Sequence, residues 1–309
     1  MLYSITLRSG IVARRRTFPY LREWLRLQAR ALRHPGETRR WLALLNADAD
    51  LNELASRQPL LVRKIYRPYL SLTLDCRERL QALASHYGMM AGSGLMPLIL
   101  SAAVQPLALA RFSGKSGTSY QLSLLAAGVL DREGELVLRL LQGGALVYSV
   151  AFSVVRRSDH SDPAVFVGCI QGPNGFGAAE RIRKATRDLY GLRPKNLLVR
   201  LVRQLGCDLG CGHTILVGNR NRASHHSVRK GLVFADYDLL WRELGARACA
   251  DGNFRIACED LPHSLTLASI PSSKRAEARR RHELLHSIIA AIRARLNLQV
   301  VPGIRAVNP

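Results

Sequence analysis

The sequence predicts an α+β chain: a helical N-terminal region followed by a mixed, mainly antiparallel sheet flanked by helices. Three observations point there. Apolar residues recur at helical spacing through the first 112 residues. Short apolar runs separated by glycine turns follow from residue 119, and helical and strand periods then alternate to residue 296. The change of pattern at Gly114 divides the 309 residues into a helical region, 1–112, and an α/β domain, 113–309. With 48% hydrophobic residues the chain can bury a core, which excludes wholesale disorder.

Residues 19–33 place Leu21, Trp24, Leu25 and Leu32 on one face and Arg22, Arg26 and Arg30 at spacing four on another, the signature of an amphipathic helix. Residues 48–55 and 77–87 continue the helices, with Pro35, Pro59 and Pro68 between them. The most apolar stretch, 94–112, is interrupted by Pro97, Gln105, Pro106 and Arg111, so it reads as a buried helix pair rather than a membrane crossing. Residues 119–127, 135–141 and 146–155 read as antiparallel strands joined by turns at 131–134 and 142–144. A strand at 165–170, helices at 178–190 and 194–209, a strand at 213–217, a helix at 234–244, a strand at 253–258 and a long helix at 271–296 complete the order.

The formal charge is +22, from 45 Lys and Arg against 23 acids, and 39 of the 45 are Arg. Residues 1–40, 181–203 and 273–309 carry nearly the whole excess. An arginine bias fits recognition of a polyanion, because the guanidinium fork matches phosphate, or it is a compositional habit. No zinc-finger, RRM or KH pattern occurs, and the 6% of aromatic residues do not interleave with the basic runs, so specific nucleic-acid binding is not expected. The 19–33 helix instead suits an anionic membrane surface. Cys76, Cys169, Cys207, Cys211, Cys249 and Cys258 read as reduced thiols of an intracellular chain. The N-terminus lacks the apolar segment of a secretory signal, so a cytoplasmic chain is expected, with a peripheral membrane position left open. Cys207, Cys211 and His213 have no second donor pair nearby, so no metal site is expected. No G-x-S-x-G nucleophile elbow occurs. Nothing in the sequence sets an oligomeric state.

Three stretches carry candidate chemistry. Gln171 to Gly177, between a strand and a helix, is a glycine turn whose backbone amides and following helix start suit an anion, or an ordinary turn. Arg193 and Lys195 flank Pro194 at a second helix mouth, a second anion seat or a solvated turn. Asn219, followed by His225 and His226, lies just past a buried strand, where polar groups line the crevice of an open sheet or simply form a loop. His226 is a candidate proton carrier, because imidazole titrates near neutrality.

The element order resembles the acetyltransferase fold of the GNAT type. Such enzymes seat the coenzyme A pyrophosphate in a Q/R-x-x-G-x-G/A loop; this chain has Gln171-x-x-x-Gly175-x-Gly177-Ala178, one residue longer. The resemblance implies that Gln171, Gly175, Gly177, Arg193 and Lys195 hold the phosphates of coenzyme A or acyl-CoA. It also implies that Asn219 positions the thioester arm, and that Tyr237 or His226 handles the proton.

An ordered set of landmarks is similar to the VirK/YbjX family of bacterial proteins. It includes His34-Pro35, Trp41, Lys64-x-x-Arg67-Pro-Tyr69-Leu, Arg79 with His86-Tyr87, Glu133-Gly-Glu135-Leu, Gly191-Leu-Arg-Pro-Lys195 and Tyr237-Asp-x-x-Trp241-x-Glu243. That family has no established function; its members are associated with virulence and envelope integrity. The implied role is acyl transfer to an envelope component. The alternative is a non-catalytic adaptor that binds the anionic inner face of the membrane through Arg-rich helices.

Overall fold

A computed structural model of the chain describes residues 3–126, 128, 130–156, 162–224, 235–260 and 270–298. Local chemistry sets most helix starts. The Thr17 hydroxyl accepts from the Tyr20 N–H and opens α1, Phe18–Arg33. Residues 35–47, for which apolar spacing alone predicts no element, form α2, Pro35–Ala47, with Pro35 in the first turn where its missing N–H costs nothing. Asp48 caps α3, Ala49–Arg57. A 3-10 turn follows at Lys64–Tyr66. Asp75 and Glu78 form a reciprocal capping box at the start of α4, Cys76–Gly92.

The apolar stretch 94–112 is not a helix pair. It is one helix, α5, Met96–Val104, followed by the first strand, β1, Leu107–Ser113. Pro106 is the reason: it drives Gln105 into an extended conformation and ends the helix there. Among the described residues no single helix is long and apolar enough to cross a membrane; α4 and α5 reach those limits only jointly, across a 113° bend.

The sheet has eight strands in the order β1-β2-β3-β4-β5-β6-β8-β7. These are β1, β2 (Ser119–Ala126), β3 (Leu136–Gln142), β4 (Ala145–Val155), β5 (Ala164–Gln171), β6 (His213–Leu216), β7 (Arg247–Ala248) and β8 (Phe254–Ala257). All neighbours are antiparallel except β5 and β6. The crossover between those two carries α6, Ala178–Asp188, and α7, Pro194–Asp208. A short α8, Tyr237–Glu243, and a long α9, Ser272–Leu296, complete the chain. This is the mixed, mainly antiparallel, helix-flanked sheet that the sequence predicts. The β3–β4 hairpin turns through Gly143 and Gly144, both with positive φ, as a two-residue turn of matching twist requires.

From Ser149 to Val155 every residue of β4 is buried, and β5 is buried from Ala164 to Ile170, so both faces of the central strands are covered. Helix α7 crosses β3 to β6, α4 lies on β4, α5 on β2 and α9 on β1. One continuous core cluster runs from Ile5 to Leu296. A second row, Leu125, Val137, Ala151 and Cys169, crosses four neighbouring strands in register.

Ala151 pairs with Cys169 and Phe152 with Val167, so Gly168 is the extra residue of a β-bulge. The segment before β3 lies directly on it: a Cβ at Gly168 would collide with the backbone carbonyl of Glu133. Gly168→Ala therefore lowers stability by about 1–3 kcal/mol or more through overpacking, read as a lower urea midpoint. A variant as stable as the parent chain contradicts this account of the bulge.

Candidate functional site

β5 and β6 pair only from Ala164 to Val167, and the Val217 N–H closes the last rung on the Val167 carbonyl at 3.0 Å. Beyond the Gly168 bulge the two strands part. The GNAT resemblance leads one to expect a thioester arm in that gap. Here α8 fills it. The Tyr237 hydroxyl accepts from the Ile170 N–H at 2.8 Å and donates to the Ile170 carbonyl at 2.8 Å. Trp241, one turn on, donates its indole N–H to the Val217 carbonyl at 2.8 Å. Both rings are fully buried and meet edge to face. Tyr237, expected to handle a proton, is a pin between two strands. Burial pushes its phenol well above the usual range, and the Arg222 guanidinium lies 3.8 Å from its ring.

Asn219, expected to steady a thioester arm, spends its polar groups on α8. Its carboxamide oxygen accepts from the Tyr237 N–H at 2.9 Å, its amide donates to Asp236 at 2.7 Å, and its backbone N–H donates to Asp238 at 2.8 Å. Asp236 in turn caps the helix through the Leu239 N–H. His226 lies outside the described residues.

The two anion seats separate. Gly175 and Gly177 both adopt positive φ and have open space around them, and Phe176 between them is completely exposed. Gln171 is exposed at the end of β5, where its carbonyl accepts from Ser149. The glycine loop enters solvent without forming a cradle. Arg193 and Lys195, by contrast, stand at the mouth of α7 over a cleft of about 540 Å³ shared with Tyr148, Ile182, Arg183 and Arg187. Glu243 at the end of α8 lies 3.4 Å from Arg193 and 3.6 Å from Lys195. Four cations and a helix start suit a phosphate group. The charge at the mouth of α7 matches the chemistry of a phosphate, whereas the Ile170 and Val217 backbone groups beside the strand gap are taken by Tyr237 and Trp241. No acyl-transfer step follows from this arrangement.

A third cluster gathers Lys64, Tyr69, His86, Tyr87 and Glu135 from the sequence landmarks, together with Ser153 of β4. Glu135, just before β3, is buried. Lys64 donates to one of its carboxylate oxygens at 2.5 Å, and the Tyr87 hydroxyl donates to the other at 2.5 Å. Its own N–H donates to the Ser153 hydroxyl at 2.9 Å, which also meets the Tyr69 hydroxyl at 2.9 Å. Burial pushes the Glu135 carboxyl up, but Lys64, His86 and Tyr87 outweigh it and hold the group below the usual carboxylate range. His86 is fully buried beside it; its Nδ1 accepts from the Val154 N–H at 3.2 Å, and its Nε2 has no partner among the described residues. Leu70, held at φ +57°, donates its N–H to the Arg132 carbonyl at 2.7 Å and ties the two landmark segments together.

Helix α1 departs from a simple packing helix. Leu27 and Ala31 are buried, but Phe18, Leu21, Leu25 and Leu32 are 76%, 50%, 54% and 79% exposed. At 100° per residue these four fall within one narrow stripe, and Arg22, Arg26 and Arg33 flank it on one side.

The profile of the family described as Protein of unknown function (DUF535) matches residues 16–294. An uncharacterized protein YbjX of Escherichia coli K12 is 29% identical over 267 residues, 84% of this chain and 79% of that one. An uncharacterized Haemophilus influenzae protein is 26% identical over 182 residues, 58% of each. Among solved structures, a cAMP-binding acyltransferase from Mycobacterium smegmatis is similar with a TM-score of 0.27 and 12% identity over 72% of this chain. The match covers 63% of that protein, less than two thirds of its length.

Glu135→Ala leaves Lys64 buried without its partner and costs about 3–5 kcal/mol in urea unfolding, whereas Lys64→Met with Glu135→Leu recovers most of the loss. An undiminished midpoint in the single variant refutes the clamp. Burial pushes the His86 imidazole down to about 4, against 6.5 in the unfolded chain. The unfolded state therefore binds the proton first, so this stability is complete above about pH 6.5 and disappears as pH falls towards 4, by roughly 3 kcal/mol. Urea midpoints between those limits fall steeply in the parent chain and less steeply in His86→Gln; equal slopes contradict the assignment.

Proposed function

Since the chain belongs to the family described as Protein of unknown function (DUF535), whose activity offers no starting point, we propose from its own geometry that it is a GNAT-like scaffold acting as a non-catalytic adaptor on an anionic membrane surface. The exposed stripe Phe18, Leu21, Leu25 and Leu32, with Arg22, Arg26 and Arg33 beside it, carries this reading. Water is a poor environment for four large apolar side chains in a row, and burying one leucine contributes about 1.5–3 kcal/mol. A bilayer interface accepts such a stripe while its anionic headgroups meet the flanking guanidinium groups. The closed strand gap supports the non-catalytic part of the reading, because Tyr237 and Trp241 occupy the backbone groups on which an acyl donor would lie.

One observation favours a second reading, acyl transfer to an envelope component from a phosphate-bearing donor. It is the cleft at the mouth of α7, where Arg183, Arg187, Arg193 and Lys195 converge. On this reading the two residues nearest the helix start hold the donor's phosphates, and α8 has to move for the arm to enter.

Vesicle flotation tests the first reading. The chain floats with phosphatidylglycerol vesicles, stays down with phosphatidylcholine, and is released by salt. Leu21→Ser with Leu25→Ser and Leu32→Ser abolishes flotation. Binding indifferent to headgroup charge, or undiminished in the triple variant, overturns it. Calorimetric titration with coenzyme A tests the second: saturable binding weakened by Arg193→Ala with Lys195→Ala sustains it, and no binding by the parent chain removes it.

A further inference from the structure

The inner flank of α1 borders a cavity of about 360 Å³; of its lining, the membrane reading above uses Arg26 alone. Five arginines converge on it from three separate parts of the chain: Arg26 and Arg30 from α1, Arg63 and Arg67 from the segment around the Lys64–Tyr66 turn, and Arg132 from the loop before β3. Glu23 is the one carboxylate in the lining, and it lies 3.4 Å from Arg63. Asp131 engages one end of the Arg67 guanidinium, while the Arg67 Nε is buried with no hydrogen-bond partner among the described residues.

Holding five guanidinium groups around one small space costs electrostatic free energy. Burial, and then its neighbours Arg132 and Arg63, push the Arg67 guanidinium down to about 10. The pocket is also built rather than incidental. The bond from the Leu70 N–H to the Arg132 carbonyl fixes the loop that carries Arg132 to the segment that carries Arg67. What would offset the repulsion is an anion with several acceptor oxygens and more than one charge, met by planar forks from several directions.

We infer that this pocket binds a multiply charged phosphate, a phosphomonoester or a diphosphate, presented by a small ligand or by a lipid headgroup. The inference stands apart from the apolar stripe of α1, since a soluble anion needs no bilayer to reach the pocket.

Calorimetric titration of the full chain with inorganic pyrophosphate at low ionic strength tests it. Saturable binding is expected, weakened about tenfold or more by Arg30→Ala or Arg132→Ala, each removing charge-assisted hydrogen bonds. Both residues are exposed at the rim, so neither substitution disturbs the core. Arg22→Ala, on the same helix but outside the pocket, leaves the affinity unchanged. No saturable heat, or an equal loss in Arg22→Ala, overturns the site and leaves net charge as the whole effect. Flotation with phosphatidic acid vesicles separates the two sources. Loss of vesicle binding in Arg30→Ala identifies a headgroup, and pyrophosphate binding that depends on Arg30 while vesicle binding does not identifies a free phosphate.

Discussion

The carboxylate of Glu135 joins the two halves of this chain. It leaves the start of β3 and receives a proton donor from each of two elements of the helical region, Lys64 from the 3-10 turn and Tyr87 from α4. A buried ion pair is not a strong source of stability by itself, because desolvation offsets most of the attraction. Its force lies in the penalty for leaving either partner alone. With Lys64 fixed, Arg63 and Arg67 on either side are fixed too, and the loop preceding Glu135 is laid across the Gly168 bulge. The buried clamp and the basic pocket therefore share two segments, the one around Lys64 and the one leading to Glu135.

The bulge and α8 together explain how a sheet of this topology ends up closed. Gly168 shifts the register of β5, the parallel ladder to β6 stops at Val167, and two aromatic side chains one helical turn apart satisfy the backbone that the divergence frees. Buried backbone groups have to be paired, and here side chains do it where a neighbouring strand does not. The same accounting explains Asn219, which serves the helix start and has nothing left for a ligand.

Much of the architecture was legible. Period-two runs and glycine turns located β2 to β5, and apolar spacing located α7 and α9, because each buries a stripe against the sheet. The same spacing located α1, although most of the stripe that revealed it faces outwards. The failures have local causes. Leu107 to Phe112 is apolar enough for either helix or strand, and only the geometry around Pro106 decides it. The buried clamp was beyond site reasoning because a lysine and a glutamate are expected at the surface, and their partners lie 71 positions apart in the chain. Of the candidate residues, Arg193 with Lys195 and Asn219 with Tyr237 are brought together in pairs, while Gly175 and Gly177 stand apart in solvent. The basic pocket could not be read from charge runs, since its five arginines come from segments that show no common spacing.

The mode of closure between β5 and β6 has a consequence for how the sheet could change. Three backbone groups, the Ile170 N–H, the Ile170 carbonyl and the Val217 carbonyl, are sealed by two side chains and by no rung of the ladder. Because both rings are fully buried, baring all three takes a withdrawal of α8 as a unit. The strands can stay paired as they are, since no ladder hydrogen bond runs through that helix.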